Sequence, residues 1–130
     1  MKQNQLSINV PEQAIEDNLV SALEGGSNYW AQMGSMRNKK PMRGNPNKCV
    51  DTKYLPSYIT TPLSEDGILL IYVEDTGITH ELTRAKIMEG LKVMADKYPK
   101  HFGDLLAEDG DSTTGDVFLQ CALFGEVRYG

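Results

Sequence analysis

The sequence lacks the features that mark disulfide-rich, secreted and membrane proteins. It has only two cysteines, Cys49 and Cys121, and their wide separation indicates neither a disulfide framework nor a paired-cysteine zinc site. No apolar run follows the first five residues, so no secretory signal is expected. No stretch approaches the roughly 20 apolar residues that a membrane span needs. We therefore expect a protein of the reducing cytoplasm, without a membrane partner.

Motifs for nucleotide-dependent enzymes and for metal sites are also missing. The chain has neither a Gly-x-x-x-x-Gly-Lys phosphate loop nor a Gly-x-Gly-x-x-Gly fingerprint. A calcium loop starting at Asp109 would place Thr114 where glycine is required and Gln120 where the bidentate glutamate belongs. Asp109, Asp111 and Asp116 are better interpreted as a solvated turn with helix N-terminal charge. The sequence thus predicts no metal, no cofactor and no catalytic residue.

The length and composition suit one domain. At 130 residues with 40% hydrophobic residues, residues 1–130 can bury a modest core without metal or disulfide support. Pro11 and the helical spacing of apolar residues predict a helix over 11–24 that Gly25-Gly26 ends. Residues 27–32 suit a strand or a second helical turn. Residues 33–56 show no period and are predicted to form a long basic loop.

A hairpin is predicted in the middle of the chain. Residues 68–73 are apolar on both faces, which is typical of a central buried strand. Residues 74–77 have turn composition, and residues 78–82 alternate as a returning strand.

Three further helical segments follow the hairpin. Thr83 is placed to cap a helix that Pro99 ends, and the sequence favours a short helical piece around 101–107. Thr113 or Thr114 is placed to cap a last helix, 115–124, which Gly125 closes.

The last of these helices is apolar on nearly every side. A chain of this size has little room to bury such a helix, so we expect a second copy to cover it and the protein to be a homo-oligomer. The predicted fold class is α+β, with a small β-hairpin or antiparallel sheet covered by about three helices.

Charge is distributed unevenly along the chain. The net charge is -5, but the segment Gly25–Val50 has five Lys and Arg and no acidic residue, so the remainder carries -10. An anionic partner is expected to bind this basic segment. Extended nucleic acid is disfavoured because the acidic remainder would repel phosphate.

The basic segment also begins with two aromatic residues. Tyr29 and Trp30 offer faces for stacking a base, and arginine can form two hydrogen bonds to one phosphate. In the alternative interpretation these two rings belong to the core and the cations are solvated. The candidate ligand-binding residues are Ser27, Asn28, Tyr29, Trp30, Arg37, Lys39, Lys40 and Arg43.

Two segments resemble a known group of proteins. Residues 22–30 contain Glu-Gly-Gly-Ser-Asn-Tyr-Trp, and residues 115–130 contain Ala-Leu-Phe-Gly-Glu. Together with the helix start at 82–87, they are similar to small accessory proteins of tailed phages and prophages. The resemblance implies a protein that acts in the host cytoplasm, where such proteins often antagonise host defence.

Three functions follow as hypotheses. The first is a non-enzymatic binding protein that sequesters a phosphorylated, cyclic nucleotide immune signal. The second is an acidic, DNA-mimic-like inhibitor of a host defence nuclease complex, and the third is an enzyme that cleaves the signal.

Overall fold

The computed structural model describes residues 9–38, 41–42, 45–49 and 61–130, with side chains over 9–34 and 62–130. Over this part of the chain the fold is α+β, as the sequence predicts. A three-stranded antiparallel sheet has the order β1-β4-β5, and β2 and β3 form a separate two-stranded sheet. The elements are α1 (Glu12–Ser21), β1 (Ala31–Asn38), β2 (Pro41–Met42), β3 (Asn45–Cys49), β4 (Gly67–Val73), β5 (Ile78–Leu82), α2 (Arg84–Lys97), α3 (Pro99–Leu106) and α4 (Ser112–Phe124).

The predicted hairpin is confirmed, with β4 as the central strand. β4 and β5 are antiparallel in a register that places Leu69 opposite Leu82 and Val73 opposite Ile78. Gly77 turns the chain with a φ of 70°, a left-handed conformation that glycine adopts without a steric penalty. Leu69, Ile71 and Val73 alternate along β4, are at most 1% exposed and belong to the same core cluster as apolar residues of α1, α2 and α4. This face of the sheet therefore faces the core.

The predicted loop at 33–56 is wrong where the strands form. β1 extends to Asn38 and pairs with β4, with Met33 opposite Ile71 and Arg37 opposite Ile68. The register shifts between Met33 and Met36, so this stretch shows no clean alternation in the sequence. Pairing with a strand about 35 residues away stabilises β1, because β-structure depends strongly on its neighbours. Residues 39–40, 43–44 and 50–56 of the predicted loop lie outside the described residues.

The N-terminal helix is close to the prediction, and its end shows why glycine follows it. α1 continues into a π-helical turn, Ala22–Gly26, and Pro11 is the N-cap rather than the first helical residue. A Cβ on Gly26 would collide with the backbone carbonyl of Ser112. Glycine at this position therefore allows the end of the turn to pack against the start of α4.

The caps of α2 and α4 give one confirmation and one correction. Thr83 Oγ1 accepts a hydrogen bond from Lys86 N at 3.4 Å, as predicted for α2. At α4 the N-cap is Asp111 rather than Thr113 or Thr114, and its Oδ1 accepts from Thr114 N at 3.0 Å. This backbone hydrogen bond lowers the pKa of Asp111. Both residue types cap helices well, so composition alone does not decide between them.

Proline and glycine set the other helix ends. Pro99 follows the end of α2 as predicted, but it is also the first residue of α3, where its fixed φ suits a helix start. Gly125 closes α4 with a φ of 72°, which confirms the predicted end of that helix.

Helix α4 is buried by its own chain. Every residue from Thr114 to Ala122 is buried, because α4 packs against α1, α2, α3 and β5. A Cβ on Gly90 would lie 2.5 Å from Ala122 Cα, so glycine lets α2 approach α4 closely. The reason for expecting a second copy is therefore wrong, and homo-oligomerisation stays a prediction. No helix in the described ranges is long and apolar enough to span a bilayer.

Candidate functional site

The side chain of Asp116 joins the two segments that carry the resemblance. Its Oδ1 accepts hydrogen bonds from Ser27 Oγ at 2.8 Å, Trp30 Nε1 at 2.7 Å and Gln120 Nε2 at 3.1 Å. Its Oδ2 accepts from Tyr29 OH at 2.5 Å. Asp116 is only 8% exposed, so hydrogen bonds rather than water stabilise this carboxylate.

Local backbone structure presents these donors together. The chain from Ser27 to Ala31 forms one tight turn, in which the N–H groups of Trp30 and Ala31 both donate to Ser27 O, at 3.1 and 2.9 Å. On α4, Asp116 and Gln120 are four residues apart and therefore lie on the same face. A single turn and a single helical face thus supply the four donors to the Asp116 carboxylate.

The network is a structural anchor rather than a reactive centre. Burial, followed by the hydrogen bond to Asp116 and the charge of that residue, raises the pKa of Tyr29 to about 12. Tyr29 is therefore a neutral donor at physiological pH. All four contacts of the carboxylate come from the protein itself.

Gln120 extends the network to the C-terminal tail, 125–130. This side chain is fully buried, and its Oε1 accepts from Arg128 N at 2.7 Å and Tyr129 N at 2.9 Å. Its Nε2 donates to Tyr129 O at 3.0 Å. Farther back in the tail, Val127 N donates to Tyr98 OH at 3.0 Å. Hydrogen bonds between the side chains of Gln120 and Tyr98 and the backbone of the tail therefore hold the tail in place.

The tail places an aromatic cluster around Trp30. Tyr129 stacks on the indole with a centroid distance of 5.4 Å and an interplanar angle of 10°, and Phe124 packs at 5.2 Å. His80 contacts Phe124 edge-on at 5.3 Å, and the Arg128 guanidinium lies 4.7 Å from the Phe124 centroid. Burial, followed by the charges of Lys86 and Arg128, lowers the pKa of His80.

A recess of about 440 Å³ opens beside this cluster. We call it the tyrosine recess, and its lining residues are Tyr29, Trp30, Glu74, Asp75 and Tyr129. Both of its charged groups are carboxylates, so the recess is acidic.

The structure separates the predicted ligand-binding residues that precede β1. Ser27 is buried against Asp116, and Asn28 is exposed. Tyr29 is 55% exposed, but Trp30 is only 2% exposed and Tyr129 covers one face of its ring. Trp30 therefore packs in the core, whereas Tyr29 still presents a ring surface to a ligand.

Arg37 lies far from these aromatic residues. It is opposite Ile68 near the end of β1, whereas Ala31, the first residue of β1, is opposite Val73. Six residues of strand span about 20 Å. The structure therefore places Arg37 and Trp30 at opposite ends of β1, while Lys39, Lys40 and Arg43 lie outside the described residues.

Asp116, the most connected residue of the site, is not among the residues that the sequence predicts to bind a ligand. Asp116 was expected in a solvated turn, yet it is buried and accepts four hydrogen bonds. A usable signal is the pair Asp116 and Gln120, two polar residues four apart in the stretch 115–124, where every other residue is apolar or glycine.

The other polar groups for which the structure describes side chains give no reactive arrangement. His101 Nδ1 lies 3.3 Å from Thr114 Oγ1, which in turn lies 3.4 Å from Asp111 Oδ1, but Thr114 is only 2% exposed. The hydroxyl is thus shielded from a ligand. Among the described residues no group of three or more His, Cys, Asp or Glu side chains is placed to hold a metal ion.

Comparison of the chain with protein-family models, with curated proteins and with solved structures finds no match.

Proposed function

We propose that the protein is a non-enzymatic binding protein that sequesters a phosphorylated, cyclic nucleotide signal and so antagonises host defence against phage. One observation carries the proposal: five Lys and Arg without an acidic residue lie between Gly25 and Val50 of a chain whose remainder carries -10. The structure adds that β1, which bears Arg37, is at the edge of the three-stranded sheet. An edge strand leaves one side of its backbone open to a ligand.

The predicted ligand-binding residues have different roles in this proposal. Trp30 is a core residue and does not stack a base. Phosphate is held by Arg37 together with its sequence neighbours Lys39, Lys40 and Arg43, because arginine offers paired donors and lysine a point charge. Any stacking on Tyr29 would need a ligand that reaches along β1.

Isothermal titration against a panel of cyclic dinucleotides, cyclic trinucleotides and cyclic ADP-ribose isomers tests the proposal. We expect one class to bind, and we expect Arg37→Ala and Arg43→Ala to weaken that binding. Lys100→Ala removes an exposed cation from α3 and is the matched control. Absence of binding across the panel, or equal binding by all three variants, would contradict the proposal.

The same complex separates a binding protein from an enzyme. Ligand that is recovered intact after the complex is denatured supports sequestration. Ligand recovered as a cleaved product supports the signal-cleaving alternative instead.

A second candidate function is an acidic inhibitor of a host defence nuclease complex. Residues 9–34 and 62–130 hold 17 of the 18 carboxylate side chains against six Lys and Arg, so this body could compete with DNA for a basic surface. Co-purification from host cells distinguishes the two candidates, since only the inhibitor needs a protein partner. Retention of a nuclease complex that DNA displaces would favour this second function.

A further inference from the structure

Three separate segments meet at the tyrosine recess. The turn before β1 supplies Tyr29 and Trp30, the turn after β4 supplies Glu74 and Asp75, and the C-terminal tail supplies Tyr129. The first two are joined through the backbone, because Glu74 N donates to Trp30 O at 3.3 Å. The recess is thus built where the sheet, the turn and the tail come together.

The chemistry of the lining selects for a cation. Glu74 and Asp75 are exposed carboxylates, and neither forms an ion pair with a Lys or Arg among the described side chains. Within the described part of the chain, Glu74 accepts one hydrogen bond from Gln32 Nε2 at 2.6 Å, and Asp75 accepts one from Tyr129 OH at 3.2 Å. An ionised carboxylate has about four acceptor positions, so both keep capacity for a donor.

The tyrosine rings support the same conclusion. A guanidinium or ammonium group placed over an aromatic ring is attracted by the ring quadrupole, and Tyr29 presents more than half of its surface. Arg128, the neighbour of Tyr129 in sequence, contacts Glu126 at 3.6 Å and the Phe124 ring, and among the described side chains it forms no ion pair with the carboxylates of Glu74 and Asp75. An anion placed in the recess would meet two carboxylates and would be repelled.

The walls are also held in place before any ligand arrives. Tyr29 OH is bound to Asp116, the backbone of Tyr129 to Gln120, and the ring of Tyr129 stacks on Trp30. Preorganisation of this kind lowers the entropy lost on binding. Exposed carboxylates on a bare turn would lack such support.

From these observations we infer that the tyrosine recess binds the guanidinium or ammonium group of an organic cation, through Glu74, Asp75 and the ring of Tyr29. The group comes either from a free amine or from an arginine or lysine side chain of a partner protein. This inference does not depend on the nucleotide proposal, which concerns the opposite end of β1.

The single tryptophan of the chain lines the recess and reports on its occupation. We would titrate the full chain with agmatine and with a short arginine-containing peptide, following tryptophan fluorescence and the heat of binding. Citrulline-containing peptide is the neutral ligand control. We expect saturable binding of the cations alone, weakened as the salt concentration rises.

Isosteric variants test whether the two carboxylates are responsible. The double variant Glu74→Gln, Asp75→Asn should lower affinity by about tenfold or more, because two charge-assisted contacts are lost. Glu81→Gln changes an exposed carboxylate on β5 and should leave affinity unchanged. Tight binding of the peptide but not of agmatine would assign the site to a protein partner, and comparable binding of both would assign it to small amines. Absence of both signals, or equal effects of the Glu81 and the double variants, would overturn the inference.

Discussion

The two ends of β1 are built in different ways. At the Trp30 end, side chains that lie 86 to 89 residues apart in sequence are hydrogen-bonded through Asp116, and the adjoining recess is acidic. At the Arg37 end, the basic residues are neighbours in sequence within a dozen positions. The hydrogen-bond network at the Trp30 end depends on tertiary structure, whereas the positive charge at the Arg37 end depends on local sequence composition.

Because of this difference, substitutions at one end of β1 should mainly affect stability, and substitutions at the other end should mainly affect binding. Substitutions at the Trp30 end should lower the free energy of unfolding, because they leave buried groups without partners. Substitutions at the Arg37 end should change affinity for an anion and leave folding almost unaffected.

The largest effect is expected for Asp116→Ala. Removal of the carboxylate leaves the donors of Ser27, Tyr29 and Trp30 unpaired, so we expect a loss of about 3–5 kcal/mol in the free energy of unfolding. Denaturant unfolding measures it, with Asp17→Ala as the control for an exposed carboxylate. If Asp116→Ala does not fold, Asp116→Asn retains one acceptor and should show a smaller loss. Equal stabilities of the Asp116 and Asp17 variants would show that the anchor is unimportant.

A smaller loss is expected for Gln120→Leu. Leucine keeps the apolar volume but cannot bind the backbone of Arg128 and Tyr129, so we expect a loss of about 2–3 kcal/mol. Tyr129 should also leave the indole, which would shift the fluorescence of Trp30 towards that of a solvated ring. Gln13→Leu, on the exposed side of α1, is the matched control. An unchanged Trp30 spectrum in Gln120→Leu would mean that the tail is held without this side chain.

Much of the fold at the sheet core and helix ends was predictable because its signals are local. The hairpin of β4 and β5, the Thr83 cap and the Gly125 end are each specified within a few residues of sequence. β1 could not be predicted in the same way, because its stability comes from pairing with β4 and its register shift hides the alternation.

The same distinction between local signals and contacts of distant segments applies to the candidate site. The basic segment was visible as a run of charges, but its geometric relation to Tyr29 was not. The sequence predicts an exposed helix N-terminal charge for Asp116, because an aspartate after Gly115 is typical of a first helical turn. Its burial depends on α1 and on the turn before β1, both far away in sequence.

The third prediction contrasts Arg37 with Trp30. If the nucleotide proposal holds, Arg37→Ala should weaken ligand binding about tenfold, equivalent to about 1.4 kcal/mol, and change stability by less than about 0.5 kcal/mol. Trp30→Phe should do the reverse, because it loses a buried hydrogen bond and part of the stacking on Tyr129. Parallel titration and unfolding of both variants measure the contrast. Loss of binding in Trp30→Phe, with stability retained, would return Trp30 to the binding site.

The smallest expected effect is the alkaline dependence of Tyr29→Phe. In the folded protein the pKa of Tyr29 is raised from 10.0 to about 12, so the folded state holds this proton more tightly than the unfolded state. The contribution to stability is therefore complete below pH 10 and is lost as the pH rises towards 12.

At neutral pH, Tyr29→Phe should cost less than about 1 kcal/mol, since the ring is half exposed and water replaces part of the hydrogen bond. Between these two pH values the variant should lose stability less steeply than the unmodified chain, in unfolding curves recorded beside a tyrosinate absorbance titration. Tyr72→Phe, at an exposed position on β4, is the control. Identical alkaline profiles for the unmodified chain and Tyr29→Phe would mean that Asp116 does not hold the Tyr29 hydroxyl, and the Trp30 end of β1 would then depend on the indole and Ser27 alone.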